Sequence, residues 1–350
     1  MSTLEVASSP GRRERQASRN LTIVEAMREA MRAEMRLDER VFLIGEDIQI
    51  GGAFLMTLGF LDEFGPKRVI NTPISEVGFM GLATGAAIAG LRPIVDFQYG
   101  DFLFTAADQL IQQASKLRYM SDGQVSVPLV VQLPTGASGR GSQHANSMEN
   151  FFFGVPGIKI ITPSMPYDAK GLLTSALRDG NVILFCVHKH LYGSKGRPLE
   201  NRETSTGMVP EEEYLVPIGV ADVKRAGSDA TVVANHLMLH RSLAAAERLE
   251  ARGVSVEVVD PRTLVPFDVD TVLESVRKTG RLLIVEENHA RGGWGPYLIA
   301  QIAERGLGHL DSVRRLSLPD APVPFSPPLE ASILPTAELI EQTIAAMVGA

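Results

Sequence analysis

The sequence predicts an α/β protein in which a doubly wound domain, built on a mostly parallel sheet, precedes a smaller α/β domain. Short apolar runs alternate with helix-length amphipathic stretches, as in parallel strands that helices connect. A polar stretch rich in Gly, Pro and Glu, residues 196–217, divides this alternation into two series and is typical of a linker. The length of 350 residues also suits two domains, at the usual roughly 100–200 residues each.

The first domain is predicted over residues 21–195, behind a disordered tail at residues 1–20. The tail contains arginines, Ser and Pro but no apolar run, so it lacks the core of a secretory signal. Thr22 and Glu25 have the spacing of a capping box, which starts the first helix. Buried strands are then predicted at residues 41–44, 94–97, 129–133, 159–162 and 183–187. Ligands are expected at the carboxyl ends of such strands.

The second domain is predicted over residues 218–350, where a new alternation of apolar runs and amphipathic stretches begins. Its strands are expected at residues 230–234, 254–259, 282–285 and 313–316. Its helices are expected at residues 238–251, 269–276, 294–303 and 337–347.

Composition excludes several classes of partner and site. The formal charge of −7, without a long Lys/Arg block, argues against nucleic acid and anionic bilayers as partners. The longest uncharged run, residues 77–91, is shorter than the roughly 20 apolar residues that span a membrane. Cys186 is the only cysteine, which excludes an internal disulfide and suits a reducing compartment. We therefore expect a cytoplasmic bacterial protein.

Three short patterns fail as catalytic or metal motifs. The loop from Gly136 has a G-x-S-x start, but Arg140 stands where a nucleophile elbow needs glycine. The same loop offers neither the dinucleotide fingerprint nor the P-loop lysine. His188 and His190 share one face at the end of a strand, but no third ligand is evident. We expect them to form a surface pair and not a zinc site.

Several longer motifs follow one another in a fixed order. They read GED at 45–47, RVINTPISE at 68–76, GAAIAGLRP at 85–93, ADQ at 107–109, KLRYM at 116–120, QH at 143–144, YDAKGLL at 167–173, DPRTL at 260–264 and PVPF at 322–325. The series resembles the β subunits of the thiamine diphosphate-dependent component of pyruvate, branched-chain 2-oxo acid and acetoin dehydrogenase complexes. This resemblance, from about Thr22 to the C-terminus, implies a pyrimidine-binding transketolase-like domain followed by a transketolase C-terminal-like domain.

The resemblance implies two catalytic residues. Glu76 matches the carboxylate that hydrogen-bonds the aminopyrimidine of the cofactor and so activates it. By itself, an acidic residue there would also suit the dipole of a helix N-terminus. His144 matches a histidine that lines the active-site channel, where it orients the substrate carboxylate or handles a proton during transfer to lipoamide.

Further residues are implied to bind the cofactor. Phe102 matches an aromatic residue that packs against the aminopyrimidine, although an isolated Phe is more often a core residue. Ile74 and Gln98 are expected nearby. Glu46 matches a position behind Glu76, where it forms either part of an acidic relay between active sites or a structural hydrogen bond.

A potassium site is also implied, at a segment remote from these residues. Asp179 and Asn181, with carbonyl groups near Leu129 and Ala176, match a segment that holds a structural potassium ion in relatives. Oxygen ligands suit a hard cation, but an ordinary Asp/Asn turn explains the same residues equally well.

The sequence lacks the Gly-Asp-Gly and downstream Asn with which a complete thiamine site holds Mg²⁺ and the diphosphate. The resemblance therefore implies a half-site, completed by an α subunit in an α2β2 heterotetramer, with a lipoyl acyltransferase core as a further partner. The substrate would be a 2-oxo acid or acetoin. Two alternatives remain: a two-chain transketolase-like transferase that acts on sugar phosphates, and a non-catalytic subunit that retains the fold.

Overall fold

The computed structural model of the chain describes residues 18–193 and 205–350. Residues 1–17 of the predicted tail and 196–204 of the predicted linker lie outside the described residues. The strands are β1 Ser18–Thr22, β2 Val41–Gly45, β3 Val69–Asn71, β4 Arg92–Asp96, β5 Leu129–Thr135, β6 Ile158–Ile161, β7 Val182–His188, β8 Thr206–Pro210, β9 Asp222–Arg225, β10 Ala230–Ala234, β11 Val256–Asp260, β12 Thr263–Val265, β13 Arg281–His289 and β14 Ser312–Leu318. The helices are α1 Ile23–Leu37, α2 Phe60–Phe64, α3 Glu76–Ile88, α4 Ser115–Met120, α5 Glu149–Phe152, α6 Pro166–Arg178, α7 His236–Glu250, α8 Val269–Thr279, α9 Gly295–Gly306, α10 Pro327–Ile333 and α11 Ala337–Val348.

The first sheet has seven strands in the order β12-β6-β7-β5-β4-β2-β3. All neighbours pair in parallel except β12, which runs antiparallel to β6. Successive residues of each strand point to opposite faces, so Leu43 of β2 packs in the same core as α1, and Ile44 packs in the core on the other face with Phe79 of α3. Helices on both faces confirm the predicted doubly wound α/β fold.

The second sheet has five strands in the order β14-β13-β10-β11-β9. It is parallel apart from β9, which pairs antiparallel with β11. The observed β10 has the same bounds as the prediction, and the other predicted strands and helices of this half are all present, with ends that differ by a few residues. This half is the predicted smaller α/β domain.

Two strand pairings differ from the sequence-based expectation. β1 and β8 form a two-stranded antiparallel sheet in which Ser18 lies opposite Pro210. β1 therefore includes the last residues of the predicted tail, and β8 lies inside the predicted linker. β12, from the second half of the chain, joins the edge of the first sheet through Thr263 and Ile161. All these pairings are long-range, so no local periodicity indicates them.

Helix α1 begins as the capping box predicts. The Thr22 side chain accepts a hydrogen bond from the Glu25 backbone N–H at 3.3 Å, and the Glu25 carboxylate accepts one from the Thr22 backbone N–H at 2.9 Å. Met27, Met31 and Met35 follow at helical spacing and are fully buried. Two backbone donors of the helix start are thereby satisfied while one face packs into the core.

Helix α3 has an apolar face that the described residues leave largely exposed. Ile74 just before the helix is 83% exposed, and Val77, Leu82 and Ile88 are 50%, 55% and 45% exposed. An added Cβ on Gly85 would meet nothing within 4 Å. No helix among residues 18–193 and 205–350 combines the length and the apolar composition that crossing a membrane requires.

Candidate functional site

The site begins with buried carboxylates at the carboxyl ends of two adjacent strands. Glu46 directly follows β2, and Asp96 is the last residue of β4; Gly45 lies opposite Asp96 in the ladder between them. The two acidic side chains are only 7% and 6% exposed. Burial raises the pKa of Asp96 to about 7, and the charge of Glu46 adds to the effect. This end of the sheet therefore holds acidic groups that titrate near neutral pH.

Glu76 completes this acidic cluster from the start of α3. It is the first residue of the helix and is half-buried, and Ser75 before it makes no side-chain capping bond. Burial raises the pKa of Glu46 to about 7, and the negative charges of Glu76 and Asp47 contribute. One carboxylate oxygen of Glu46, Oε1, is buried and has no hydrogen-bond partner among the described residues. The structure thus brings Glu46 close enough to Glu76 for their charges to interact.

Gln98 lies in a cleft beside this cluster. Its Nε2 donates a hydrogen bond to Oδ2 of Asp47 at 2.7 Å. Asp47, Gln98, Tyr99 and Arg140 line the same cleft. Because Gln98 follows β4 and Asp47 follows β2, the cleft lies at the carboxyl ends of the strands, where parallel sheets bind ligands.

Phe102 and His144 meet beside the same cleft. The centre of the His144 ring lies 5.0 Å from that of Tyr99 and 5.5 Å from that of Phe102, and both pairs pack edge to face. Tyr99 and Phe102 also contact each other, with centroids 5.8 Å apart. All three rings are half-buried, so they form an aromatic wall with one open side.

His188 and His190 are buried, so the prediction of a surface pair was wrong. They are 1% and 6% exposed, because the second domain covers the end of β7. His188 Nε2 lies 2.9 Å from Oε2 of Glu287. Although burial opposes it, the adjacent His188 lowers the pKa of Glu287 to about 2. The sequence pattern around His188 contains no sign of this partner, which lies on β13, 99 residues later.

The four residues of the implied potassium site lie together at the opposite end of the sheet. Leu129 begins β5, and its N–H donates to the Asn181 carbonyl at 3.4 Å; the Asp179 N–H donates to the Ala176 carbonyl at 3.2 Å. Lys159 Nζ lies 2.6 Å from the Asp179 carboxylate. The Arg118 guanidinium donates a hydrogen bond to Oδ1 of the Asn181 side chain at 2.9 Å. Positively charged groups of this chain already occupy both side chains, and the Arg92 guanidinium also donates to the Asp179 carbonyl at 2.7 Å. A cation would therefore have to bind through the carbonyl oxygens that remain.

Several residues of the site were not identified from the sequence. Asp96 was missed, although an acidic residue that ends an apolar strand is a usable signal. Tyr99 was missed because aromatic residues beside strands are usually core residues. Lys189, fully buried with its Nζ 5.7 Å from the centre of the Tyr99 ring, was missed because it lies between the two histidines that were expected at the surface.

The described residues fit one end of thiamine diphosphate. Glu76 offers a carboxylate, and Phe102 with His144 offers aromatic surface of the kind that a pyrimidine ring needs. The unpartnered Glu46 oxygen marks a buried acid group behind them. In residues 18–193 and 205–350, no group of three or more His, Cys, Asp and Glu side chains is arranged to hold a metal ion. The described residues therefore fit the aminopyrimidine end of the cofactor.

Two family comparisons cover most of the chain. The pyrimidine-binding domain of transketolase matches residues 19–195, and the C-terminal domain of transketolase matches residues 219–340. Among solved structures, a split-gene transketolase described as an inactive β4 tetramer superposes with a TM-score of 0.75 at 20% identity, over 94% of this chain and 98% of that one. At this identity the likeness shows the fold alone.

Curated relatives are more similar in sequence. The β subunit of acetoin:2,6-dichlorophenolindophenol oxidoreductase from Bacillus subtilis is 40% identical over 95% of this chain and 98% of that protein. The β subunits of 2-oxoisovalerate dehydrogenase and of the pyruvate dehydrogenase E1 component from the same organism are 41% and 40% identical, over 92% and 87% of this chain and 96% and 92% of those proteins. The chain therefore belongs to the transketolase-like family of β subunits found in 2-oxo acid and acetoin dehydrogenases.

Proposed function

We propose that this chain is the β subunit of a thiamine diphosphate-dependent 2-oxo acid or acetoin dehydrogenase, and that Glu76 binds the aminopyrimidine of the cofactor. The acidic cluster carries the proposal. Glu76 stands at the start of α3 with the buried Glu46 close enough for the two charges to interact. A carboxylate that shares a proton with a neighbouring group interacts with that group more strongly in such a buried, low-dielectric environment.

The acid groups behind Glu76 are suited to holding and moving a proton. When bound, thiamine diphosphate supplies the nucleophile that attacks the substrate carbonyl. Glu76 would hydrogen-bond the pyrimidine nitrogen and hold a proton there. Glu46 and Asp96, whose pKa values are raised to about 7, can each bind or release a proton near neutral pH and would exchange it with Glu76. We infer an acidic relay and not a purely structural hydrogen bond.

His144 would act at the substrate end of the cleft. Its contacts with Tyr99 and Phe102 fix the plane of the imidazole ring, and its ring nitrogens accept or donate no hydrogen bond among the described residues. We propose that His144 orients the substrate carboxylate or carries a proton when the acyl group moves to a lipoyl disulfide. Ile74, Gln98 and Phe102 would line the binding site around it.

The rest of the active site would come from an α subunit. The absence of Gly-Asp-Gly from the sequence and the β-subunit names of its relatives support this division, with Mg²⁺ and the diphosphate held by α. The uncovered face of α3 is available for an α2β2 assembly. A lipoyl acyltransferase core, a cytoplasmic location and a potassium ion at the segment of Asp179 and Asn181, with carbonyl groups near Leu129 and Ala176, belong to the same proposal.

Reconstitution tests the proposal. The chain is expressed with the α subunit from the same genome that carries Gly-Asp-Gly, and lipoamide reduction is followed with pyruvate, branched 2-oxo acids and acetoin. We expect turnover with at least one of them, dependent on thiamine diphosphate, Mg²⁺ and both chains. Turnover of sugar phosphates without lipoamide would favour the two-chain transketolase alternative. Tight assembly without any turnover would favour the non-catalytic alternative.

A further inference from the structure

The loop that carries His144, residues 136–147, is held mainly by the second domain. Three of its residues, Gly136, Gly139 and Gly141, have positive φ values of 84°, 76° and 77°. Glycine in such conformations gives the loop little stiffness of its own. Its geometry must therefore come from the groups that contact it.

Two buried carboxylates of the second domain bind the loop backbone. Glu330 of α10 is 5% exposed, and its two carboxylate oxygens accept hydrogen bonds from the Gly139 N–H at 2.8 and 3.1 Å. Glu287 of β13 accepts one from the Ala137 N–H at 2.5 Å. Hydrogen bonds of backbone N–H groups to ionised carboxylates are stronger than neutral ones. We call Glu287 and Glu330 the acidic clamp.

Other contacts of the second domain extend the hold to the far end of the loop. The Ser142 hydroxyl donates to the Val323 carbonyl at 2.7 Å, and the Ser147 hydroxyl donates to the Glu287 carbonyl at 2.5 Å. His144 lies between these two serines. The second domain therefore fixes the loop on both sides of the histidine.

The first domain contacts the same loop from the aromatic wall. Asp101, which precedes Phe102, accepts hydrogen bonds from the backbone and side-chain N–H groups of Asn146 at 3.2 and 2.6 Å. Lys189 is buried nearby; burial lowers its pKa, whereas the charges of Asp101, Glu287 and Glu330 favour its protonated form. One buried network thus surrounds the loop and consists of the acidic clamp, Lys189 and Asp101. Neither Glu287 nor Glu330 lines the cleft beside Gln98.

We propose that Glu330 and Glu287 are positioning residues that set the orientation of His144, so that the second domain controls the transfer of the acyl group to the lipoyl disulfide. The proposal rests on the proposed function. Because transfer depends on close geometry between His144 and the acceptor, a small shift of the loop affects it strongly. Cleavage of the substrate, which the proposed function assigns to Glu76, would be affected less.

Two acceptors separate these steps in the reconstituted α/β pair. The dye 2,6-dichlorophenolindophenol accepts the two electrons in place of the lipoyl disulfide, whereas lipoamide requires the transfer itself. For Glu330→Ala we expect kcat/KM for lipoamide to fall about tenfold or more, with the dye-coupled rate within about twofold of the unmodified pair. Glu330→Gln keeps one acceptor oxygen for Gly139 and should recover most of the loss. Glu338→Gln, on exposed α11 of the same domain, is the matched control and should change neither rate.

Equal losses in both assays, or no loss in either, would overturn the proposal. A second readout does not depend on activity: amide hydrogen exchange of residues 137–144 should be faster in Glu330→Ala than in Glu338→Gln, and Glu330→Gln should recover most of the slow exchange. Unchanged exchange would contradict the clamp. If the unmodified pair reduced no lipoamide with any substrate, the proposed function would fail, while the exchange experiment would still decide whether the clamp holds the loop.

Discussion

Replacing Asp96 by Asn tests the buried acidic cluster quantitatively. Asp96 is 6% exposed, and its pKa is raised from 3.8 to about 7 by burial and by the charge of Glu46. An acid whose pKa is raised on folding binds more protons in the folded state, so stability falls as pH rises from about 4 to 7 and stays lower above that. The difference between the two pKa values corresponds to roughly 4 kcal/mol in total.

Most of that loss in stability falls within a pH range that is convenient for measurement. Between pH 5 and pH 8 the unmodified chain should lose roughly 3 kcal/mol from this one group, whereas Asn, which is neutral throughout, should not. At about 2–4 °C per kcal/mol for a domain of this size, the melting temperature of Asp96→Asn should gain roughly 6–12 °C relative to the unmodified chain between the two pH values. Any destabilisation that the buried Asn amide causes equally at both pH values cancels in this comparison.

The assay is thermal unfolding of the chain followed by circular dichroism at pH 5 and pH 8. Glu46→Gln should act in the same direction, because it removes a buried acid and also the charge that raises the pKa of Asp96. If the difference in melting temperature between Asp96→Asn and the unmodified chain were the same at both pH values, the charge of Asp96 would cost the fold nothing. The relay behind Glu76 would then lose its physical basis.

Three further substitutions test other parts of the structure. Gly136→Ala should lower stability by about 2 kcal/mol or more, since φ is +84° and the new Cβ would clash with the His188 ring; an unchanged melting temperature would contradict the packing there. Burial lowers the pKa of Lys189 to about 8, so the unfolded chain binds an extra proton and the unmodified chain gains stability as pH rises from about 8 to 10. Lys189→Met should abolish this gain. Melting curves at about pH 7.5 and 9.5 test the prediction. Asp168→Asn should cost roughly 3–5 kcal/mol in urea unfolding, because fully buried Asp168 forms ion pairs with both Lys224 and Arg262 of the second domain, the latter at 3.0 Å. A loss below about 1 kcal/mol would show that these two pairs contribute little.

Local pattern predicts the strands and helices well, because burial on both faces leaves a continuous apolar run in each parallel strand. β10 occupies residues 230–234, as its run of small and β-branched residues predicts. The antiparallel pairs β1–β8 and β12–β6 were not predictable in the same way. Their partners lie far away along the chain, and only the folded topology brings them together.

The residues of the candidate site were likewise predictable only where local sequence determines their position. Glu46 and Gln98 follow directly after strands, so the rule that ligands bind at strand ends already indicates where they lie. His188 was expected at the surface because nothing near it in sequence shows that β13 covers it with Glu287. Glu330, 191 residues from Gly139, is likewise invisible to any motif. The groups expected to bind the cofactor are local, whereas most of the groups that hold the loop of His144 come from the other domain.

The central claim is that Glu76 provides the catalytic carboxylate of a half-site, and Glu76→Gln in the reconstituted α/β pair tests it most directly. Gln keeps the size and hydrogen-bonding capacity of the side chain but cannot hold or release the proton. We predict that the dye-coupled rate falls by about 10²–10⁴-fold, while assembly with α and the melting temperature stay as in the unmodified pair and in Glu338→Gln. A rate within about twofold of the unmodified pair would contradict the claim.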